Sequence, residues 1–150
     1  MFLLLIIPQH VFNMNNEIVQ FKIENIEINR ISISQQPQKF NSEKYGYKLN
    51  VEHLFNIEEN TVMVLVSVSV MAGKNLLSEV AINIYYNVNN LKNFDNKSEK
   101  RMEFPEDFTT AINAISISTL RGVMFSEFRG TYLHNAILPV VSPRSLEIAD

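Results

Sequence analysis

The stretch that decides the fold is Tyr45–Val88, YGYKLNVEHLFNIEENTVMVLVSVSVMAGKNLLSEVAINIYYNV. Tyr45, Tyr47, Leu49, Val51, His53, Phe55 and Ile57 fall on one parity, with Gly46, Lys48, Asn50, Glu52, Leu54 and Asn56 between them. A period of two over this length predicts a long strand with one face toward a core. Glu58, Glu59 and Asn60 make a polar turn. Val62, Val64, Val66, Val68 and Val70 then share one face of a second strand, whose β-branched side chains suit a pleated backbone. Ala72 to Asn75 holds a glycine turn, and a third alternating strand follows from Leu76 to Val88. Three long strands joined by short turns predict an antiparallel meander.

Upstream, Phe21, Ile23, Ile26, Ile28, Ile31 and Ile33 are spaced two, three, two, three, two. Neither a regular strand nor a helix gives that spacing. A strand carrying one or two bulges does, because each bulge shifts the inward parity by one residue, and such a strand suits a sheet edge. Residues 35–44 show no period and are read as a crossover loop to the meander. Downstream, residues 89–103 are rich in Asn and Lys and are read as a polar loop. Pro105 suits the first turn of a helix, and Glu106 and Asp107 favour its positive end. That helix should run to about Phe128 and stop near Gly130.

At a hundred degrees per residue the helix has two apolar stripes. Phe108, Ala111, Ile112, Ile115, Thr119, Gly122 and Val123 form one; Ala114, Ile117, Leu120, Met124, Phe125 and Phe128 lie roughly opposite. A four-stranded sheet can cover the first stripe. The second is expected to form an oligomer interface, since leaving large apolar side chains in water forgoes about 1.5–3 kcal/mol each. The tail after Gly130 is apolar and broken by Pro139 and Pro143, with Ser142 placed to cap a short C-terminal helix. The expected fold class is α+β: a four-stranded antiparallel sheet with a crossover loop after strand 1, one long helix and a short C-terminal helix.

The whole chain has 150 residues, enough for one domain. Its hydrophobic fraction of 46% supplies a core, while its charged fraction of 19% is low and agrees with self-association. A net charge of −3 argues against general nucleic-acid binding. With no Cys there is no disulfide framework, thiolate metal cage or Cys nucleophile. The apolar run Phe2–Ile7 is too short to span a bilayer and lacks a basic flank. We read 1–14 as a non-native or disordered extension, with Met14 as the functional start, and 15–150 as the domain.

No P-loop, dinucleotide glycine motif, HExxH or GxSxG occurs. His10, His53 and His134 stand in unrelated contexts, and His53 shares an apolar strand face. Glu58 and Glu59 read as a solvated turn. No acid–base pair or metal set emerges, so neither an enzyme nor a cofactor is expected.

Read together, these segments resemble the SecB family of export chaperones from Val19 to about Leu146. The amino-terminal match is FKIENIEINRISIS, residues 21–34. The sharper match is AISISTLRGVMFSEFRGTYLHNAILPVVSP, residues 114–143, with Arg121-Gly122, Gly130-Thr131 and Leu138-Pro139. The wording is closer to the SecB-like branch than to the proteobacterial export form. The resemblance implies an ATP-independent, cytoplasmic holdase that binds unfolded or preprotein chains, and a homotetramer built as a dimer of dimers with its helices between two sheets. It implies outer apolar grooves near the crossover loop and tail, for which we expect Phe40, Tyr45, Tyr47, Leu133, Ile137, Leu138 and Val140 to contact client. It implies docking of the motor SecA through an acidic sheet face, here at Leu77 and Glu79, although Arg30 and Ser34 stand at the other expected acidic positions. Some SecB-like relatives instead serve an antitoxin, which is the alternative reading. A small-ligand or enzyme domain is the second, and it would need a closed polar pocket.

Overall fold

The computed structural model describes residues 11–14, 17–40 and 44–142, with side chains from Val19 onward. The four expected strands are present as β2 (Glu17–Ile33), β3 (Gly46–Asn56), β4 (Thr61–Ala72) and β5 (Asn75–Val88). All pairings are antiparallel, and a short strand β1 (Val11–Met14) adds to the start of β2. The sheet order is β1-β2-β5-β4-β3. The chain therefore crosses from one edge to the other after β2, then returns as a meander. Residues 11–14, expected to be part of an extension, thus belong to the sheet. The C-terminal helix expected from Pro143 lies outside the described residues.

The uneven isoleucine spacing has the expected cause. β2 shifts register against β5 between Ile23 and Asn25 and again between Ile28 and Arg30. Each shift restores an isoleucine to the face of the sheet that carries the buried row of β5, so Ile23, Ile26, Ile28 and Ile31 stand opposite Tyr86, Ile84, Ile82 and Val80, although Ile23, Ile26 and Ile28 stay exposed. Beyond Gln20 no described strand pairs with the outer side of β2, which leaves it an edge. A further shift falls between Val70 and Met71, where β4 meets β5. There Leu77 turns inward beside Ser78.

Helix α1 (Glu106–Glu127) lies on β4 and β5. The inward valines of β4 and Val80, Ile82, Ile84 and Tyr86 of β5 are almost wholly buried beneath it. Phe108, Ile112, Ile117, Leu120, Met124 and Phe128 face them. Gly130 ends the helix at φ 76, a left-handed conformation that costs glycine nothing. The polar loop also contributes to the core. Leu91 is buried at the start of a short 3-10 turn, and Asn60 Oδ1 accepts from its backbone N–H. Phe94 and Phe55 each sit 5.3 Å from Phe104, which is 5.1 Å from Phe108. An aromatic stack thus anchors the first turn of α1 to the sheet.

Two polar ties cross this seam. Tyr86 Oη lies 2.8 Å from Ser116 Oγ and donates toward the Ile112 carbonyl, while burial pushes its hydroxyl up to about 12. His53 Nε2 lies 2.7 Å from Asn113 Oδ1. Tyr86→Phe should cost about 1–3 kcal/mol, because Ser116 Oγ stays buried after losing its partner. Thermal unfolding of the variant measures the loss.

Candidate functional site

The crossover loop, the start of β3 and the tail meet at the C-terminal end of α1. Tyr45 and Tyr47 alternate inward on or beside the edge strand. Phe40 comes from the loop, and Tyr132 follows the glycine stop of the helix. The Phe40 ring is 5.9 Å from Tyr45 and 5.2 Å edge-on from Tyr132, and Tyr45 is 6.5 Å from Tyr47. Tyr132 Oη donates to the Ser34 carbonyl at 2.8 Å, and Tyr45 Oη donates to the Tyr132 carbonyl at 3.4 Å. These bonds tie the tail to the crossover loop. Partial burial raises all three tyrosine hydroxyls, with the neighbouring Tyr45 adding to the effect at Tyr47 and Tyr132. They therefore stay neutral near pH 7 and offer donors as well as apolar faces. All four rings remain half-buried.

The tail alternates between core and solvent. Leu133, Ala136 and Leu138 are buried, whereas Ile137 is 54% and Val140 is 93% exposed. Arg121 holds this arrangement from the helix, donating from Nε to the Leu138 carbonyl at 2.9 Å and from Nη2 to the Pro139 carbonyl at 3.1 Å. Beside the cluster runs β3, the last strand of the sheet, and no described strand pairs with its outer backbone edge. Its inward row from Tyr47 to Phe55 is half-covered throughout, while the matching rows of β4 and β5 are buried. The result is a shallow apolar strip along an open edge, with an aromatic cleft at one end.

The structure brings Phe40, Tyr45 and Tyr47 together and leaves Ile137 and Val140 exposed. Leu133 and Leu138 are corrected: they fill the subunit's own core and present no surface to a ligand. The expected interface stripe is corrected in the same way. Ile117, Leu120, Met124 and Phe128 face the sheet. The inward stripe is rotated because Asn113 and Ser116 are buried with it, satisfied in part by His53 and Tyr86. Of the six residues, Ala114 is half-buried and Phe125 is 58% exposed. Together with Ile115, Ser118 and Thr119 they make the outward face of α1. The expected motor-docking pair is also separated. The bulge turns Leu77 into the core, while Glu79 stays half-exposed on the outer face with a carboxylate oxygen 2.8 Å from Arg30 Nη1.

Tyr132 and Arg121 were not singled out from the sequence as site residues. The signals were present: an aromatic just past a glycine stop, and one cation on an otherwise uncharged helix segment. Among the described residues no group of three His, Asp or Glu side chains could hold a metal ion, and no helix is long and apolar enough to cross a membrane.

No protein-family model matches the chain, and no curated protein matches it. Solved structures do. A Mycobacterium tuberculosis SecB-like chaperone, in complex with a ChAD peptide from an antitoxin, matches with a TM-score of 0.53 at 12% identity. The match covers 81% of this chain and 90% of that one. A Streptococcus agalactiae protein of unknown function matches with a TM-score of 0.44 at 12% identity, covering 87% of this chain and 98% of that one. The four-stranded antiparallel sheet and the single long helix agree with the SecB-like fold, which this chain adopts.

Proposed function

We propose that this chain is an ATP-independent holdase that binds extended apolar polypeptide, and that it is not an enzyme. The observation that carries the reading is the aromatic cleft of Phe40, Tyr45, Tyr47 and Tyr132 opening onto the half-covered edge of β3. Clients of a holdase share no sequence, so what can be recognised in them is backbone and apolar bulk. An open strand edge offers hydrogen bonds to any extended backbone, and aromatic faces accept varied side chains. Ile137 and Val140 extend the apolar surface, and a peptide along β3 would cover its inward row. The mode of binding is passive: no nucleotide-binding motif is present in the sequence.

We place the protein in the cytoplasm as a homotetramer, a dimer of dimers, in which the outward face of α1 meets another copy. Ala114, Ile115, Ser118 and Thr119 line a shallow apolar depression, and Phe125 projects from the same helix nearly two turns further on. Small side chains allow close helix approach, and a phenylalanine supplies the buried area. Several copies sharing one client would hold it by many weak contacts.

Export-bound preproteins are one client class. A single dedicated antitoxin is the second reading, and two observations support it. Leu77 is buried and Glu79 is paired with Arg30, so the expected SecA contact is altered. The similar SecB-like structure holds an antitoxin peptide. The test is aggregation of an unrelated denatured protein, followed by light scattering without nucleotide. A general holdase suppresses it at near-stoichiometric tetramer. A dedicated chaperone suppresses aggregation of one cognate antitoxin and leaves the unrelated protein unprotected. Failure with both overturns the holdase reading.

A further inference from the structure

β3 is joined to α1 by one hydrogen bond among the described residues, that between His53 Nε2 and Asn113 Oδ1. Asn113 is buried, and its amide Nδ2 has no partner among the described residues. His53 lies in the inward row of β3 with Val51 and Phe55, opposite Val64 of β4. An oxygen accepts at Asn113, so the neutral imidazole donates from Nε2. A second proton must go to Nδ1, which puts a whole charge into this seam.

Among the described residues nothing in the seam compensates that charge. The inward row of β3 carries no acid or base besides His53, and Tyr47 is held neutral. The facing row of β4 is valine. On α1 the residues one turn either side of Asn113 are Thr109, Thr110, Ser116 and Ile117. Glu52 points to the opposite face of the sheet, and Glu106 and Asp107 are exposed in the first turn of the helix. Burial holds the imidazole below its usual range, against the smaller opposing effect of its bond to Asn113.

We propose that His53 and Asn113 form a proton-released latch, and that mild acid opens the seam between β3 and α1 and bares the inward row of β3. The regulatory meaning of the latch rests on the client-binding reading above; the latch itself does not. The sign follows from linkage. In the open state the imidazole is solvated and takes its proton near the ordinary value of 6.5; in the closed state it does so only at lower pH. Closure is therefore fully supported above about pH 6.5. As pH falls from there toward the closed-state value, the opening equilibrium rises by up to about tenfold per pH unit, the limit for one proton.

Hydrogen exchange of the full chain, corrected for the intrinsic pH dependence of amide exchange, tests this. Protection of the β3 amides should fall between pH 6.5 and 5.5, by up to about fivefold, while β5 changes little. His53→Gln keeps a donor for Asn113 Oδ1 but does not titrate, and should abolish the step. His53→Phe with Asn113→Leu removes both polar groups and should do the same. Flat β3 protection in the wild type, or a step that survives in either variant, overturns the latch. Client capture that fails at both pH values, with the exchange step intact, overturns the holdase reading and leaves the latch standing.

Discussion

Phe128→Asp unfolds the subunit, whereas Phe125→Asp leaves it folded and dissociates the proposed assembly. The two positions are three residues apart on one helix end, and both belong to the stripe that a helical wheel assigns to a single interface. Phe128 is 1% exposed and lies in the core cluster; its N–H donates to the Met124 carbonyl, and its own carbonyl accepts from Thr131. Removing the ring alone costs about 3–5 kcal/mol. An ionised carboxylate left without a partner adds several more, and a domain of this size has about 5–15 kcal/mol in total. Phe125 is 58% exposed. A substitution there changes the lone subunit by about 0.5 kcal/mol or less, but it puts a charge where a second helix would pack. Circular dichroism melting and sedimentation velocity separate the two outcomes. A wild-type melt for Phe128→Asp would refute the core assignment. An unchanged sedimentation coefficient for Phe125→Asp would remove the outward face of α1 from the interface.

The contrast shows where a sequence pattern is informative. Alternation in Tyr45–Val88 specifies the meander because a strand has one period and two faces, and a one-residue error would bury charge. The bulges of β2 are legible for the same reason: isoleucines keep returning to one face of the sheet after each extra residue. The helix is harder. Apolar residues nearly surround it, so periodicity alone does not say which stripe faces the sheet. Asn113 and Ser116 decide it, and polar residues read as outward until their partners, His53 and Tyr86, are known. The bulge at Leu77 left no trace, because Leu76 and Leu77 are both apolar and either could point in. In the tail, Leu133, Ile137, Leu138 and Val140 look alike as letters. Arg121, clamping two carbonyls from the helix, holds the register that buries two of them and exposes the others. The aromatic cleft was half legible: Phe40, Tyr45 and Tyr47 stand close in sequence to the crossover, whereas Tyr132 arrives from nearly ninety residues away, a contact of the kind one chain of letters does not record.

That division within the tail sets the second large effect. Ile137→Ser with Val140→Ser should leave the melting curve nearly unchanged and weaken client binding by about 2–4 kcal/mol, roughly 30- to 700-fold in Kd. Both side chains already stand in water, so their removal forgoes little packing in the free subunit. Against a client they would lose what burial of each branched side chain supplies, about 1.5–3 kcal/mol when complete and less where the groove stays open. Leu138→Ser is the control that keeps the two effects apart. Leu138 is 2% exposed, so the change opens a cavity and buries a hydroxyl, costing about 2–5 kcal/mol of stability. Any lost binding in that variant would come through a loosened tail. Fluorescence anisotropy with a labelled, unfolded apolar peptide reads the affinities, and thermal unfolding of the same samples reads the stabilities. If the double serine variant binds as tightly as wild type, the exposed half of the tail is not client surface, and the groove is confined to the aromatic cleft and the edge of β3.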